Sequence, residues 1–210
     1  MLETLLLAVG LMPLIGFLAA AIATSASAWV MVWQLWRGTR PMGEAASFEP
    51  ALAKRTARAA AVEATATGLH WTFAPTVDIA RDQRWGRVAE AAGEDVFLSC
   101  AFAVARVQGF QGDDLKAADA MLATPKHFAA YGAVMGGLDY NSVEISEGTL
   151  RDVHLPPFKA AIDAGALTIM SAFNDINGVP ASANRELMTV VLRHEWKFRG
   201  FVVSDYTADY

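Results

Sequence analysis

Near its end the chain reads Phe201-Val-Val-Ser-Asp-Tyr-Thr207. The first residues of this run are apolar on both faces, a pattern typical of a strand that is buried in a parallel sheet. We therefore predict a strand over residues 200–204 that ends directly before Asp205. A lone carboxylate at the carboxyl end of a parallel strand is a candidate catalytic group, because functional residues collect at that edge of the sheet.

Alternating strands and helices precede this run. The predicted strands are 69–75, 121–128 and 166–173, and the predicted helices are 48–67, 94–109, 147–165 and 185–195. Pro156-Pro157 is expected to break or redirect the third helix, and residues 174–178 are typical of a turn-rich loop. The alternation indicates an α/β fold with a parallel sheet and right-handed crossovers.

Polar residues capable of chemistry follow each of the four predicted strands. They are Asp78, Arg84 and Arg87, then Lys126 and His127, then Asn174, and finally Asp205. Functional residues at the carboxyl ends of several strands are the arrangement of a (β/α)8 active site. We therefore predict a partial (β/α)8 TIM-like barrel with about four strands represented. A dinucleotide-binding fold is disfavoured, because no Gly-x-Gly-x-x-Gly motif follows a strand.

The composition of the chain argues against several function classes. The net charge of −5 gives no electrostatic reason to bind nucleic acid. The single cysteine, Cys100, cannot form a disulfide within the chain, and no spacing of Cys and His resembles a metal site. We therefore predict no nucleic-acid partner, no metal and no cofactor.

The first 40 residues differ from the rest, since no charged residue lies between Glu3 and Arg37. We treat residues 1–40 as a separate apolar segment and residues 41–210 as the folded domain. Residues 4–36 are long enough to span a bilayer, which needs about 20 apolar residues. Residues 1–28 also resemble a secretory signal that ends in Ala26-Ser-Ala28. Foreign sequence and a folded soluble helix are two further interpretations that stay open.

These interpretations lead to different expectations for localisation. A signal peptide over residues 1–28 implies a periplasmic or extracellular protein. Otherwise the protein is cytoplasmic or membrane-anchored, and contact with a membrane is expected only through residues 5–36.

Seven stretches of the folded part carry a family resemblance. They read Trp71-Thr-Phe-Ala-Pro-Thr-Val-Asp-Ile-Ala-Arg-Asp-Gln-Arg-Trp-Gly-Arg87, Gly93-Glu-Asp95, Lys126-His-Phe-Ala-Ala-Tyr-Gly132, Asp139-Tyr-Asn141, Leu155-Pro-Pro-Phe-Lys-Ala160, Ser171-Ala-Phe-Asn-Asp-Ile-Asn-Gly-Val-Pro180 and Trp196-Lys-Phe-Arg-Gly-Phe-Val-Val-Ser-Asp205. Residues 41–210 thus resemble the N-terminal barrel domain of glycoside hydrolase family 3. The motif Lys-His-Phe-Ala-Ala-Tyr-Gly at residues 126–132 is similar to that of the β-glucosidase and β-xylosidase branch. The N-acetylglucosaminidase branch carries Lys-His-Phe-Pro-Gly-His-Gly instead.

The resemblance implies a role for several residues. Asp205 would be the nucleophile of a retaining glycosidase that hydrolyses terminal β-linked glucosyl or related residues of an oligosaccharide, aryl or alkyl β-glycoside. Lys126 and His127 would bind sugar hydroxyls at the bond that breaks. Arg87, with Arg84 as the alternative, would line the same pocket.

Two aromatic positions complete the site that the resemblance implies. Tyr206 stands where many relatives have Trp and would form part of a sugar platform, and Phe173 stands where some members carry Tyr near the nucleophile. Positive charge from Lys126 and Arg87 near Asp205 would favour its ionised form.

Neighbouring acidic residues receive structural roles in this interpretation. Asp78 and Asp82 are expected to pair with the arginines of their motif, Glu90 is expected to be solvated or capping, and Asp139 is expected on a rim loop.

The resemblance also implies missing parts. An Asp-Val-x-His-Gly motif that binds sugar in the family should precede residue 41, and residues 1–40 do not contain it. The family's general acid, a Glu, normally comes from a downstream domain. We therefore predict that these 210 residues are a glycosidase fragment that is inactive or nearly so alone. A membrane-tethered, non-catalytic carbohydrate-binding or interaction module is the alternative hypothesis.

Overall fold

The computed structural model describes residues 49–206 and residue 208. The predicted apolar segment at residues 1–40, with its signal and anchor interpretations, lies outside the described residues. Within the described part, no helix has both the length and the apolar character that crossing a membrane requires.

The helices fall close to their predicted positions but differ in kind. They are α1 (Pro50–Ala66), α2 (Val96–Gln111), α3 (Glu147–Thr149) and α4 (Pro156–Asp163), with two π-helices at Leu150–His154 and Glu186–Glu195. The helix predicted over residues 147–165 is divided into three segments, and the last begins at Pro156, where the Pro-Pro pair was expected to break or redirect it. Asp95 caps α2 by accepting from the Leu98 amide at 2.7 Å.

Four extended segments lie side by side in chain order. Parallel bridges join Trp71 to Leu122 and Thr76 to Lys126, and Phe128 is bridged in parallel to Ser171. Strands β1 (Thr168–Met170) and β4 (Phe201–Val203) form a parallel ladder. This arrangement confirms the α/β class, with the predicted parallel neighbours.

Two of the predicted strands are not regular strands. Residues 69–75 and 121–128 form isolated bridges instead of ladders. Pro75 and Pro125 lie within these segments and have no amide hydrogen to donate, so a continuous ladder is interrupted there. The described residues therefore show four parallel segments and do not show a closed barrel.

A short hairpin replaces the loop predicted at residues 174–178. Strands β2 (Asp175–Ile176) and β3 (Val179–Pro180) pair antiparallel across Asn177-Gly178. Asn177 and Gly178 have φ values of 52° and 81°, which a two-residue hairpin turn of type I′ requires. The hairpin packs beside the 132–146 loop through a bridge between Val143 and Ile176.

Aromatic side chains dominate the core beneath the four segments. Phe128 lies 5.2 Å from Phe158 of α4 and 5.9 Å from Trp196, measured between ring centroids. Ile169 of β1 is fully buried in the same cluster. Each fully buried side chain of this size contributes about 1.5–3 kcal/mol relative to an exposed one. Because Phe128 directly follows Lys126-His127, the core fixes the segment that carries two predicted site residues.

Candidate active site

The structure brings Asp205 and His127 together. Asp205 follows β4, and His127 lies near the end of the second extended segment, two positions along the sheet. Asp205 Oδ2 lies 3.4 Å from His127 Nε2. The His127 side chain is 1% exposed and that of Asp205 is 15% exposed, so the carboxylate is the more accessible group. The Tyr206 amide donates to Asp205 Oδ1 at 2.7 Å.

A second carboxylate, Asp78, holds the far side of the His127 ring. Asp78 Oδ2 lies 2.8 Å from His127 Nδ1 and accepts from the His127 backbone amide at 3.1 Å. The prediction that Asp78 pairs with neighbouring arginines is wrong. Asp78 is buried after the first extended segment, where it faces the second segment and not the solvated arginines.

The predicted cations do not contact Asp205 directly. Arg87 pairs with Glu90 through bonds of 2.6 and 2.8 Å, and within the described residues Lys126 forms no ion pair. His127 is the basic side chain within 4.0 Å of the Asp205 carboxylate among the described residues. Arg87 is instead paired with a carboxylate on its own segment. The place of Lys126 and Arg87 in the pocket around Asp205 stays a prediction.

Glu90 is the carboxylate that binds Arg87. Its Oε2 also accepts from Thr76 Oγ1 at 3.2 Å. The bond from Arg87 is the largest cause that lowers the pKa of Glu90, and the charge of Lys126 adds to it. The pairing in turn raises the pKa of Arg87. Glu90 is exposed, as predicted, and the structure adds its pairing with Arg87.

The structure separates the two arginines proposed for the pocket. Arg84 is mostly exposed and pairs with Asp82 at 2.7 Å, which confirms the predicted partner of Asp82. That pairing lowers the pKa of Asp82 to about 2. Arg87 is more buried, and its guanidinium lies 5.5 Å from the centre of the Tyr131 ring. Of the two, Arg87 is the one that lies against the ring next to His127.

Aromatic rings surround His127 on the site side. The Phe173 ring lies 6.3 Å from the His127 ring with an angle of 27° between their planes, and Tyr131 meets the His127 ring edge-on at 5.0 Å. Tyr140 packs on Phe173 at 4.8 Å and is largely exposed. Tyr206 is also largely exposed. The predicted site residues Phe173 and Tyr206 thus both lie next to the Asp205–His127 pair, Phe173 through its ring and Tyr206 through its amide.

Asp139 anchors the 132–146 loop to the core. Its Oδ1 accepts from Trp85 Nε1 at 3.0 Å and from the Tyr131 hydroxyl at 2.8 Å. Burial and this contact raise the pKa of Tyr131. Asp139 is exposed on the loop as predicted, but no sequence pattern predicted that it binds two buried aromatic residues.

A well-formed cavity lies away from these residues. A cavity of about 330 Å³ is bounded by the Leu150–His154 π-helix, the β2–β3 hairpin and Leu187, and none of the predicted site residues lines it. Within the described residues, no group of three His, Cys, Asp or Glu side chains converges to hold a metal.

His154 is a buried histidine that the sequence did not single out. Burial lowers its pKa from the usual 6.5 to about 4, against the opposing charge of Asp78, while Arg81 adds to the decrease. Because the unfolded chain binds this proton at higher pH than the folded chain, His154 contributes stability above pH 6.5 that is lost as the pH falls towards 4.

Replacing His154 by Gln is expected to remove that part of the pH dependence. The shift corresponds to about 3 kcal/mol between pH 7 and pH 4, at about 1.4 kcal/mol per unit. Urea unfolding across this range measures it, with His194→Gln, an exposed site, as the matched control. Equal slopes for the wild type and His154→Gln would contradict the assignment.

Comparison with known proteins gives a consistent match over this region. The model of the glycosyl hydrolase family 3 N terminal domain matches residues 38–209. The periplasmic beta-glucosidase of Salmonella typhimurium is 42% identical over 167 residues, which are 80% of this chain and 22% of that protein. A putative beta-xylosidase of Formosa agariphila is 45% identical over 169 residues, or 79% of this chain and 22% of that protein.

Solved structures show the same similarity. The crystal structure of the beta-glucosidase of Listeria innocua in complex with isofagomine matches with a TM-score of 0.76 and 47% identity, over 77% of this chain and 23% of that one. The chain therefore spans about a fifth of the length of the curated relatives that it matches.

Proposed function

The chain belongs to glycosyl hydrolase family 3, and we propose that it supplies the nucleophile of a site that hydrolyses terminal β-linked glucosyl or related residues with retention of configuration. The relatives are named as β-glucosidases and β-xylosidases. A small oligosaccharide or an aryl or alkyl β-glycoside is the substrate class that this proposal implies.

The placement of Asp205 is the observation that carries the proposal. Its Oδ1 accepts from the Tyr206 amide, which orients the carboxylate, and its Oδ2 lies 3.4 Å from His127 Nε2. It keeps partial exposure at the end of β4, where a substrate can reach it. An oriented, accessible carboxylate is what the first step of a retaining glycosidase needs.

In the first step, an Asp205 oxygen attacks the anomeric carbon while the bond from that carbon to the leaving-group oxygen breaks. The leaving group takes a proton from a general acid, and a covalent glycosyl–Asp205 ester remains. Water, deprotonated by the same group, then attacks the anomeric carbon and releases the sugar with its original configuration. His127, Lys126 and Arg87 bind sugar hydroxyls through these steps.

We propose that the general acid comes from outside these 210 residues. The described carboxylates near the site are engaged elsewhere: Asp78 with His127, Glu90 with Arg87, and Asp139 with Trp85 and Tyr131. Asp78 is 1% exposed and lies on the far side of His127 from Asp205, so it cannot reach a leaving group.

A chimaera tests the proposed reaction. In this chimaera, residues 38–209 replace the matching segment of the Listeria innocua β-glucosidase. The rest of the fold and the general acid then come from the relative. We expect hydrolysis of p-nitrophenyl β-glucoside or β-xyloside, with the β-anomer of the free sugar appearing first by proton NMR. The α-anomer appearing first would overturn retention. A folded chimaera that binds glucose without hydrolysing glycosides would favour a non-catalytic carbohydrate-binding module.

The 210-residue chain alone is expected to turn over p-nitrophenyl β-glucoside at least about 10²–10⁴-fold more slowly than the chimaera, because it lacks acid assistance. A dinitrophenyl glycoside, whose leaving group needs no proton, should narrow that gap. Colorimetric release of the two phenols measures both rates. Normal turnover of the mononitrophenyl substrate by the chain alone would show that the acid lies within it.

A further inference from the structure

One oxygen of Asp78 makes two contacts with His127. Asp78 Oδ2 lies 2.8 Å from the ring nitrogen Nδ1 and 3.1 Å from the backbone amide of the same residue. Both side chains are 1% exposed. The ring and the backbone amide of His127 therefore share a single carboxylate oxygen. Both groups are buried, and a buried hydrogen-bond donor or acceptor left unpaired lowers stability by about 1–3 kcal/mol.

The contact decides which ring nitrogen carries a proton. An ionised carboxylate only accepts hydrogen bonds, so the Nδ1 that faces Asp78 is the protonated nitrogen. Nε2 is then the nitrogen that faces Asp205 at 3.4 Å. Within the described residues Nε2 has no hydrogen-bond partner, so it is available to a bound molecule.

Two aromatic rings lie beside the His127 ring. Tyr131 meets it edge-on at 5.0 Å with planes at 72°, and the centre of Phe173 lies 6.3 Å away with planes at 27°. These aromatic neighbours have no polar atom at Nδ1. They cannot select the tautomer, and Asp78 can.

We propose that Asp78 is a positioning residue for the reaction: it holds His127 with Nδ1 protonated and presents Nε2 to Asp205 and to a hydroxyl of the sugar. Asp78 touches neither the sugar nor Asp205 and acts only through His127. The inference rests on the proposed function for its consequence in catalysis, but the tautomer and the orientation of His127 are properties of the chain itself.

The tautomer is measured directly on the 210-residue chain labelled with 15N-histidine. Two-bond proton–nitrogen correlation spectra distinguish protonated from unprotonated ring nitrogens, and the His127 signals are assigned by their loss in His127→Gln. We expect Nδ1 to be protonated in the wild type. An unprotonated Nδ1 in the wild type would overturn the proposal, whatever the variants do.

Three variants separate positioning from a merely structural role. Asp78→Ala removes the acceptor and should move the proton, wholly or in part, to Nε2. Asp78→Asn keeps an oxygen that can accept and should restore the Nδ1-protonated signals. Asp82→Asn, a surface carboxylate four residues on, is the matched control and should leave them unchanged. Unaltered His127 signals in Asp78→Ala would also overturn the proposal.

Kinetics in the chimaera test the consequence for catalysis. Asp78→Ala is expected to lower kcat/KM by roughly 10²-fold, the cost of misplacing a group at the reacting centre by about 1 Å. In a His127→Ala background the same change should cost little further, because the two residues act as one unit. If the losses in kcat/KM from the two substitutions were additive, a positioning role for Asp78 would be contradicted. If Nδ1 is protonated but no chimaera hydrolyses a glycoside, the proposed function fails and the arrangement of His127 stands.

Discussion

Asp205→Asn in the chimaera is expected to lower kcat/KM for p-nitrophenyl β-glucoside by roughly 10⁴–10⁶-fold, the range seen when a central group of a catalytic constellation is removed. The amide keeps the size of the carboxylate, so the contacts with the Tyr206 amide and His127 can persist. What it lacks is the negative charge that attacks the anomeric carbon. The loss should therefore appear in kcat more than in the binding of glucose, which calorimetry measures separately.

Covalent trapping identifies the residue independently of rates. A 2-deoxy-2-fluoroglucoside with a good leaving group should form a long-lived glycosyl ester, and mass spectrometry of peptides should place it on Asp205. Asp205→Asn should take up no label. Asp163→Asn, which removes an exposed carboxylate paired with Lys159, is the control and should be labelled like the wild type. A label on any other residue would overturn the assignment of the nucleophile.

The order of elements was readable from the sequence because each depends on local pattern. The apolar run before Asp205 predicted strand β4 and the position of the carboxylate after its end. The hairpin was missed although Asn177-Gly178 is a strong turn signal, since its strands are only two residues each. Periodicity also cannot distinguish a π-helix from an α-helix of similar length, which is why Glu186–Glu195 was predicted only as a helix.

The contacts of the site were much harder to predict. Asp78 and His127 are 49 residues apart, and only the parallel pairing of their segments brings them together. The motif places Asp78 close to three arginines in sequence, so pairing with arginine was the simpler expectation. The Arg87–Glu90 pair has i,i+3 spacing and could have been recognised, because side chains three apart meet on a helical turn. The family resemblance named candidate residues, but it did not say which of them touch.

Phe128 contributes both to the stability of the core and to the geometry of the site. It is 0% exposed and packs between Phe158 and Trp196. Its amide donates to the Met170 carbonyl at 2.7 Å, and its carbonyl accepts from the Ala172 amide at 2.8 Å. Phe128 thus joins the second and third extended segments by backbone bonds and fills the space beneath them with its ring.

Phe128→Ala is expected to lower the free energy of unfolding by about 3–5 kcal/mol, because it removes buried apolar surface and leaves a cavity among rigid aromatic neighbours. Urea unfolding followed by circular dichroism measures the loss. Phe97→Ala, at a side chain 84% exposed on α2, is the matched control and should change stability by no more than about 0.5 kcal/mol. Equal effects of the two changes would show that Phe128 is not part of a packed core. Since His127 precedes Phe128 directly, relaxation into the cavity should also shift the His127 ring signals, which Phe97→Ala should leave in place.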